Sequence, residues 1–323
     1  MLSFTESNMK LWAKLGSRAV FGSVAAPALA EQLDRTLFIA ADVAASAGFE
    51  RFRTAFPDRL LNIGIAEQNM VGIAAGLAKE GFIPFAFSFS PFASLRAADQ
   101  IRMCLGYMGL PVKIISLAAG LGMGINGPSH YGLEDIAFLR SVPGITILSP
   151  ADATETVKAL LAAAEHPGPV YIRLTGAQNQ PPVYKEDYNF VIGKAIHLRE
   201  GKDVAFLATG TMVHAAQKAA DLLAEQGVSA GVINMHTIAP LDEAAVRQAC
   251  AARLIITVEE HAVVGGLGSA VAEVLAEGGT HPPLLRIGLA AYPHAAVYEQ
   301  LLQQQGLTPE GLAQRVQKAL GGC

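Results

Sequence analysis

Short apolar runs alternate with helical stretches along most of this 323-residue chain. Such alternation is typical of an α/β fold, in which helices cover both faces of a mostly parallel sheet. In the first two-thirds of the chain, the pattern predicts strands at 36–40, 83–87, 112–117, 146–148 and 170–173. It predicts helices at 11–33, 67–79, 93–105, 133–140 and 153–164, the last opening on a capping pattern of Asp152 and Glu155.

A polar stretch at 176–187, with Pro181 and Pro182, interrupts this alternation and has the composition of a linker. Beyond it the pattern resumes, with predicted strands at 204–208, 230–234 and 254–258 and predicted helices at 213–226 and 243–252. A further helix, ending at 276, follows Gly265-Gly266-x-Gly268. This glycine run lacks the spacing of a dinucleotide fingerprint, so we expect it to serve a turn and helix packing. We therefore predict two domains, 1–178 and 201–323, joined by a linker at 179–200.

The composition and charge of the chain favour some functions and argue against others. Hydrophobic residues make up 51% of the chain and charged residues only 16%, which indicates that another subunit covers part of the surface. The net charge of −4 and the lack of any basic run argue against a nucleic-acid partner. Three widely spaced cysteines and the scattered histidines predict neither disulfides nor a metal site within the chain.

Two segments resemble targeting or membrane signals. Residues 19–30 are apolar and follow several basic residues, but the predicted helix runs on through them into a strand. Residues 110–125 contain Pro111 and Lys113 and are shorter than the roughly 20 apolar residues of a membrane span. We expect a soluble, cytoplasmic protein without membrane contact.

Glu67 opens one of the most apolar helices of the chain, in which no charge follows until Lys79. A helix that is apolar nearly all round is a buried helix, so we expect protein on every side of it. A buried acid needs a partner or acquires a raised pKa, which makes Glu67 a candidate functional group. The alternative is an electrostatic cap, because acids are favoured in the first helical turn. The local sequence leaves both open.

Aromatic residues follow the predicted strand at 83–87. Phe85, Phe87 and Phe89 alternate and therefore share one face of a strand. We expect Phe85 and Phe87 in the core. Phe89 and Phe92 are expected past the carboxyl end of the strand, where open parallel sheets bind ligands, and could form an apolar wall for a heteroaromatic ring.

Two further features suggest a binding site. A glycine-rich loop at 120–130 ends in His130, and loops at strand ends commonly carry function, although a lone histidine is often structural. Arg173 is predicted at the end of a strand, where its guanidinium suits a phosphate or carboxylate. The alternative for Arg173 is an ion pair at the edge of the core.

Three motifs taken together resemble the carboxyl-terminal half of transketolase, most closely the small subunits of split transketolases. They are IAEQNMVG at 65–72, FxxxRAxDQIR at 92–102 and GPSH at 127–130, and VEEH at 258–261 extends the likeness. The resemblance implies a pyrimidine-binding domain followed by the transketolase C-terminal domain. It also implies thiamine diphosphate as cofactor, and transfer of a two-carbon ketol unit from a ketose, expected to be phosphorylated, to an aldose.

The same resemblance assigns roles to individual residues. Glu67 would hydrogen-bond the pyrimidine nitrogen, Phe92 with Phe89 would stack on that ring, Ile65 would brace the cofactor, and Asp42 would lie on its thiazolium side. The substrate ligands would be Arg18, Ser46, Asn126, His130 and Arg173, with His130 also catalytic. Asn126 replaces an acid of the family, and Ala118 replaces a histidine found in many transketolases. Both replacements predict an altered sugar preference.

The diphosphate–magnesium motif of transketolases, Gly-Asp-Gly followed by Asn-Asn, does not occur in this sequence. We therefore predict that a separate subunit supplies the Mg²⁺ ligands, in an α2β2 assembly. Three alternatives share parts of the pattern: a β-subunit of a 2-oxoacid dehydrogenase, a relative of deoxyxylulose-phosphate synthase, and a non-catalytic assembly protein. GPSHxxLED at 127–135 followed by SVPG at 141–144 resembles transketolase more than the first two.

Overall fold

The computed structural model describes residues 2–175 and 180–321 and contains two mostly parallel sheets flanked by helices. This confirms the predicted α/β fold class. The predicted domain boundary at 178 and the first residue of the predicted linker, 179, lie outside the described residues.

The strands occur in both halves of the chain. They are β1 (Thr36–Ala40), β2 (Leu60–Asn62), β3 (Ile83–Phe89), β4 (Lys113–Ala119), β5 (Thr146–Leu148), β6 (Val170–Thr175), β7 (Ile196–Arg199), β8 (Val204–Ala208), β9 (Ala230–Asn234), β10 (Thr237–Ala239), β11 (Leu254–Ala262) and β12 (Leu284–Leu289). The first sheet has the order β10-β5-β6-β4-β3-β1-β2 and the second β12-β11-β8-β9-β7. Only β10 in the first and β7 in the second pair antiparallel among the described strands.

The α-helices connect these strands and cover the sheets. They are α1 (Glu6–Val20), α2 (Ala26–Gln32), α3 (Glu50–Ala55), α4 (Glu67–Lys79), α5 (Ala98–Gln100), α6 (Asp135–Arg140), α7 (Ala153–Glu165), α8 (Met212–Ala224), α9 (Glu243–Ala249), α10 (Leu267–Glu277), α11 (Tyr298–Gln304) and α12 (Pro309–Gly321). None of the described helices has the length and hydrophobicity that a membrane span requires.

Several strands extend beyond their predicted ends, and in β3 and β6 this changes the position of a candidate site residue. β3 ends at Phe89, so Phe89 is the last residue of the strand and does not lie beyond it. β6 continues to Thr175, so Arg173 lies inside the strand rather than at its end. In both cases the neighbouring strand β4 continues the pairing, to Phe89 on one side and to Thr175 on the other.

Other elements also differ from the prediction. The helix expected at 11–33 is kinked at Gly16 (φ 79°) and passes through a π-helical turn, Phe21–Ala25. The helix expected at 93–105 consists of π-helical segments on either side of α5. β7 lies within the predicted linker but belongs to the second sheet, and β10, from the second half of the chain, joins the first.

A cluster of phenylalanines fills the core on one side of the first sheet. Phe85 and Phe87 are fully buried, which confirms their predicted core role. Phe87 stacks on Phe49 with ring centroids 4.8 Å apart, and Phe85 stacks on Phe38 at 5.4 Å. Aromatic pairs in such geometries stabilise a core beyond the area that they bury.

Candidate active site

Glu67 is the first residue of α4, and only 2% of its surface is exposed. Its carboxylate accepts a hydrogen bond from Ser88 Oγ at 3.0 Å and pairs with Arg96 Nη1 at 2.9 Å. Neither donor belongs to α4, so these contacts tie the acid to β3 and to the segment after it. The buried acid thus has the partners that its burial requires, and its contacts differ from those of a helix cap.

The helix α4 is buried on one side only, so the prediction of protein on every side is wrong for the single chain. Met70, Val71 and Ala74 pack inward, whereas Asn69 and Gly72 face outward. A Cβ added at Gly64, Gly72 or Gly76 would meet no atom within 4 Å. Ile65, two residues before Glu67, is 75% exposed. An open surface of small and apolar residues therefore begins beside the buried acid.

Aromatic rings lie next to this acid. Phe92 begins the π-helical segment Phe92–Arg96, and the Arg96 guanidinium lies 4.0 Å from the centre of the Phe92 ring. The His130 ring meets Phe92 edge-to-face at 5.4 Å and Phe89 at 6.5 Å. Arg96 thus links the carboxylate of Glu67 to the aromatic wall, and His130 completes that wall.

Ser88 and Arg96 are members of this cluster that were not assigned a role from the sequence. Arg96 is the fifth residue of the FxxxRAxDQIR motif, so the motif contained a signal for it. Ser88 faces away from its neighbours Phe87 and Phe89 along β3, as strand alternation requires, and this places its hydroxyl against Glu67.

The loop that carries His130 consists of short 3₁₀ turns, Gly124–Asn126 and Pro128–His130. His130 is half-buried, and its Nδ1 lies 3.0 Å from Ser129 Oγ. Asn126 is exposed in the same loop. His130 is thus available to a ligand beside Phe92, and Asn126 is accessible to a ligand that extends along the loop.

Asp42 follows the carboxyl end of β1 in a strained conformation, with φ of 60°. Its carboxylate accepts a hydrogen bond from Asn62 Nδ2, and Asn62 Oδ1 accepts hydrogen bonds from the backbone N–H groups of Asp42 and Gly64. Positive φ at a non-glycine residue costs free energy and is frequent at functional sites. Asn62 therefore connects Asp42 to the segment that leads to Ile65 and Glu67.

Arg18 and Ser46 lie on a neighbouring part of the first domain. Ser46 is exposed in the turn Ala45–Ala47, which packs against α1, the helix that carries Arg18. Arg18 is half-buried, and burial lowers the pKa of its guanidinium. Within the described part of the chain, no hydrogen bond, ion pair or ring contact joins either residue to Glu67, Phe92 or His130, so their substrate role stays a prediction.

Arg173 does not join this site. It is 2% exposed, and its Nε donates to both carboxylate oxygens of Asp135, at 3.0 and 3.2 Å. Its Nη2 donates to the carbonyl oxygens of Gly132 and Glu260. Burial alone would raise the pKa of Asp135, but Arg173 and His261 keep it below its usual range. The assignment of Arg173 as a substrate ligand is corrected to a core ion pair, because β6 runs on past it.

Comparison with known proteins shows the family to which this chain belongs. The family model "Transketolase, pyrimidine binding domain" matches residues 14–180, and "Transketolase, C-terminal domain" matches residues 193–312. The chain belongs to the transketolase family. Its structure resembles a solved split-gene transketolase, described as an inactive beta4 tetramer, with a TM-score of 0.85 and 39% identity over 95% of this chain and 98% of that one.

Relatives show which section of a transketolase this is. The chain is 39% identical to a putative transketolase C-terminal section of Methanocaldococcus jannaschii, over 90% of this chain and 92% of the relative. It is 42% identical to a 6-deoxy-6-sulfo-D-fructose transketolase subunit, SqwH, of a Clostridium species, over 86% and 87%. It is also 39% identical to a 1-deoxy-D-xylulose-5-phosphate synthase of Gloeobacter violaceus, over 90% of this chain but 46% of that enzyme.

These matches confirm the predicted family and the assignment as a C-terminal section of the split type. Transketolases and deoxyxylulose-phosphate synthases depend on thiamine diphosphate. The cluster around Glu67 fits the pyrimidine of that cofactor, because it offers a carboxylate at the edge of an aromatic wall, with the exposed Ile65 beside it. Among the residues that the structure describes, no group of His, Cys, Asp or Glu side chains suits a metal ion.

Proposed function

We propose that this transketolase-family chain is the pyrimidine-binding subunit of an enzyme that transfers a two-carbon ketol unit from a phosphorylated ketose to an aldose. The observation that supports this most is the buried carboxylate of Glu67, which borders the uncovered side of α4 and pairs with Arg96. Arg96 in turn covers Phe92, the ring that contacts His130. A buried acid at an open surface is suited to a ligand held between two chains.

Thiamine diphosphate, when bound, supplies the carbon nucleophile for ketol transfer. In this proposal Glu67 holds the pyrimidine nitrogen opposite the amino group, and Phe92 with Phe89 flanks the ring. Ile65 braces the bent cofactor, and Asp42 lies on its thiazolium side. The apolar wall excludes water and so strengthens the hydrogen bond to Glu67.

A second kind of subunit supplies the diphosphate and Mg²⁺ ligands, in an α2β2 assembly. The chain spans 46–47% of the length of solved full-length transketolases whose fold it shares. Large apolar side chains are exposed on the helices and loops of the first domain, namely Ile65, Leu95, Met103, Tyr107, Met108 and Ile125. An obligate interface would bury such residues.

The sugar would contact His130 and Asn126 in the loop after β4, and Arg18 and Ser46 would hold its phosphate. His130 would exchange a proton with a sugar hydroxyl, because its ring lies against Phe92 and an imidazole can act as a general acid or base. Arg173 takes no part. We propose that the reaction takes place in the cytoplasm.

The central test replaces Glu67 by Gln in the enzyme assembled with its partner subunit. Ketol transfer should fall by roughly 10²-fold or more, the scale of losing a positioned acid–base group. Glu80→Gln is the matched control, because Glu80 is an exposed acid at the other end of the same helix. Near-normal turnover of Glu67→Gln would contradict the assigned role.

Calorimetry of the purified chain tests the shared site separately. With Mg²⁺ present, the chain alone should bind thiamine diphosphate far more weakly than the assembled enzyme does, since it lacks the partner's ligands. Equally tight binding by this chain alone would contradict a cofactor site between two subunits.

One alternative is supported by a specific observation. The 39% identity to a deoxyxylulose-phosphate synthase is as high as that to the transketolase section. The assembled enzyme should therefore be offered a ketose phosphate, a 6-sulfo ketose and pyruvate as donors in parallel. Use of pyruvate in preference to either ketose would favour the alternative.

A further inference from the structure

The loop at 120–130, which carries Asn126 and holds His130 against Phe92, is also attached to the second domain. The attachment comes from β11, whose end runs alongside the first domain. Ala262 N–H donates to the carbonyl of Leu133 at 2.9 Å, and the carbonyl of Glu260 accepts from Arg173 at 2.7 Å. β11 thus brings the side chain of Glu260 against the start of the loop.

The carboxylate of Glu260 connects the two domains. One oxygen accepts a hydrogen bond from the backbone N–H of Leu121 at 2.6 Å. The other accepts from Tyr298 Oη at 2.6 Å and from Thr211 Oγ1 at 2.8 Å, both in the second domain. Glu260 is 2% exposed, so these bonds form away from competing water. Bonds to a charged acceptor are stronger than neutral ones.

Gly120 shows how closely the carboxylate approaches the loop. Its φ is 69°, and a Cβ at this position would overlap the Oε1 and Cδ atoms of Glu260. Both its backbone conformation and the space around it therefore favour glycine. The first glycine of the loop is explained by this contact from the other domain.

A second contact holds the middle of the loop. Tyr131, which is 1% exposed, donates its hydroxyl to the carbonyl of Gly124 at 2.9 Å. A Cβ at Gly124 would lie 3.0 Å from the carbonyl of Ala296, just before α11. The loop is therefore packed against the second domain at two points, and Asn126 follows the second of them.

We infer that Glu260, held in place by Tyr298 and Thr211, is a positioning residue that fixes the loop at 120–130 and thereby sets the affinity of the enzyme for its sugar. The C-terminal domain thus takes part in substrate binding through the backbone of another domain. The link to the sugar rests on the proposed function, whereas the attachment of the loop does not.

Glu259 provides a matched control within the same strand. It is also buried, and its carboxylate accepts from the backbone N–H groups of Leu267 and Gly268, at 2.7 and 2.8 Å. Those donors belong to α10, in its own domain. Glu259 and Glu260 are therefore alike in burial and in bonding to backbone, but only Glu260 reaches the loop.

The test compares Glu260→Ala, Glu260→Gln, Tyr298→Phe and Glu259→Gln by hydrogen exchange of the purified chain. In Glu260→Ala and Tyr298→Phe, amides of the loop should exchange roughly tenfold faster or more, the scale of losing a hydrogen bond to a charged acceptor. Glu260→Gln keeps an acceptor for Leu121 and should restore most of the protection. Glu259→Gln should affect exchange in α10 and leave the loop unchanged.

In the assembled enzyme, Glu260→Ala and Tyr298→Phe should raise KM for the sugar more than they lower kcat, with thiamine diphosphate affinity unchanged.

Unchanged loop exchange in both variants, or loop exchange equally fast in Glu259→Gln, would overturn the inference. Faster exchange with an unchanged KM would overturn its link to the sugar. Should the wild-type assembly show no ketol transfer, the proposed function fails, and hydrogen exchange alone still decides the attachment of the loop. If Glu260→Ala does not fold, Tyr298→Phe carries the test.

Discussion

At the scale of single residues, the partners of Glu67 explain how an acid is stable at a nearly buried position. Arg96 is 43% exposed and Glu67 only 2%, so the arginine reaches in from the surface to the carboxylate. Its guanidinium also covers Phe92. A cofactor ring placed on Phe92 would meet this arginine, so Arg96 belongs to the candidate site as much as the residues predicted from the sequence.

Arg96→Met removes the charge but keeps an apolar stem against Phe92. It should lower the free energy of unfolding by about 1–3 kcal/mol, because Glu67 is left with Ser88 alone. Adding Glu67→Gln removes the unpaired charge, so the double variant should lose less than the sum of the two single changes. Urea denaturation of the four proteins measures this coupling. Strictly additive losses would mean that the ion pair contributes nothing.

At the scale of elements, the local sequence pattern predicts the ends of a helix or strand correctly where the residues of that segment determine those ends. The bounds of α4, β1 and β8 were predicted as they occur, because apolar periodicity and flanking polar residues define them. The ends of β3 and β6 were not, since they depend on pairing with β4. The burial of Arg173 could not be predicted either, because its partner Asp135 is 38 residues away in sequence.

Some residues of the candidate site could likewise be predicted from the sequence, and others could not. Glu67, Phe92 and His130 were found from motifs, and the structure brings them together around Arg96. The role of Glu260 could not be found, because its partners Leu121 and Tyr298 are 139 and 38 residues away along the chain.

The start of α7 combines a predicted cap with an unpredicted contact. Asp152 accepts from Glu155 N–H at 2.8 Å, as the capping pattern indicates, and also from Val183 N–H at 2.7 Å. Asp152→Ala loses both acceptors and should lower the free energy of unfolding by about 1–3 kcal/mol. Asp152→Asn keeps one acceptor oxygen and should lose less. If urea denaturation showed no loss in Asp152→Ala, neither bond would stabilise the fold.

At the scale of the whole molecule, strand pairing and polar contacts connect the two domains. β10 leaves the second half of the chain to pair with β5, and Arg140 of α6 binds Glu273 of α10 and the carbonyl of Gly265. His261 lies between the domains, where its Nε2 accepts from Ala137 N–H at 3.4 Å and its Nδ1 faces the carbonyl of Ala262 at 2.7 Å. Contacts of this kind make the stability of the domains interdependent.

The pH dependence of stability should report this junction. Burial lowers the pKa of His261 to about 4, although Asp135 nearby acts in the opposite direction. An unfolded histidine titrates near 6.5, so between about pH 6.5 and 4 the unfolded chain binds a proton that the folded chain excludes. The contribution of neutral His261 to the free energy of unfolding is therefore fully present above pH 6.5 and decreases as the pH falls towards 4.

His261→Gln keeps one donor and one acceptor but removes the titration. The loss of unfolding free energy between pH 7 and 4.5 should then be smaller than in the wild type by on the order of 2–3 kcal/mol. His197→Gln, at an exposed position of β7, should show the wild-type pH dependence. Urea denaturation across this range, on all three proteins, measures the difference. Parallel curves for His261→Gln and the wild type would mean that the histidine between the domains is protonated without cost, and that the junction is open to water.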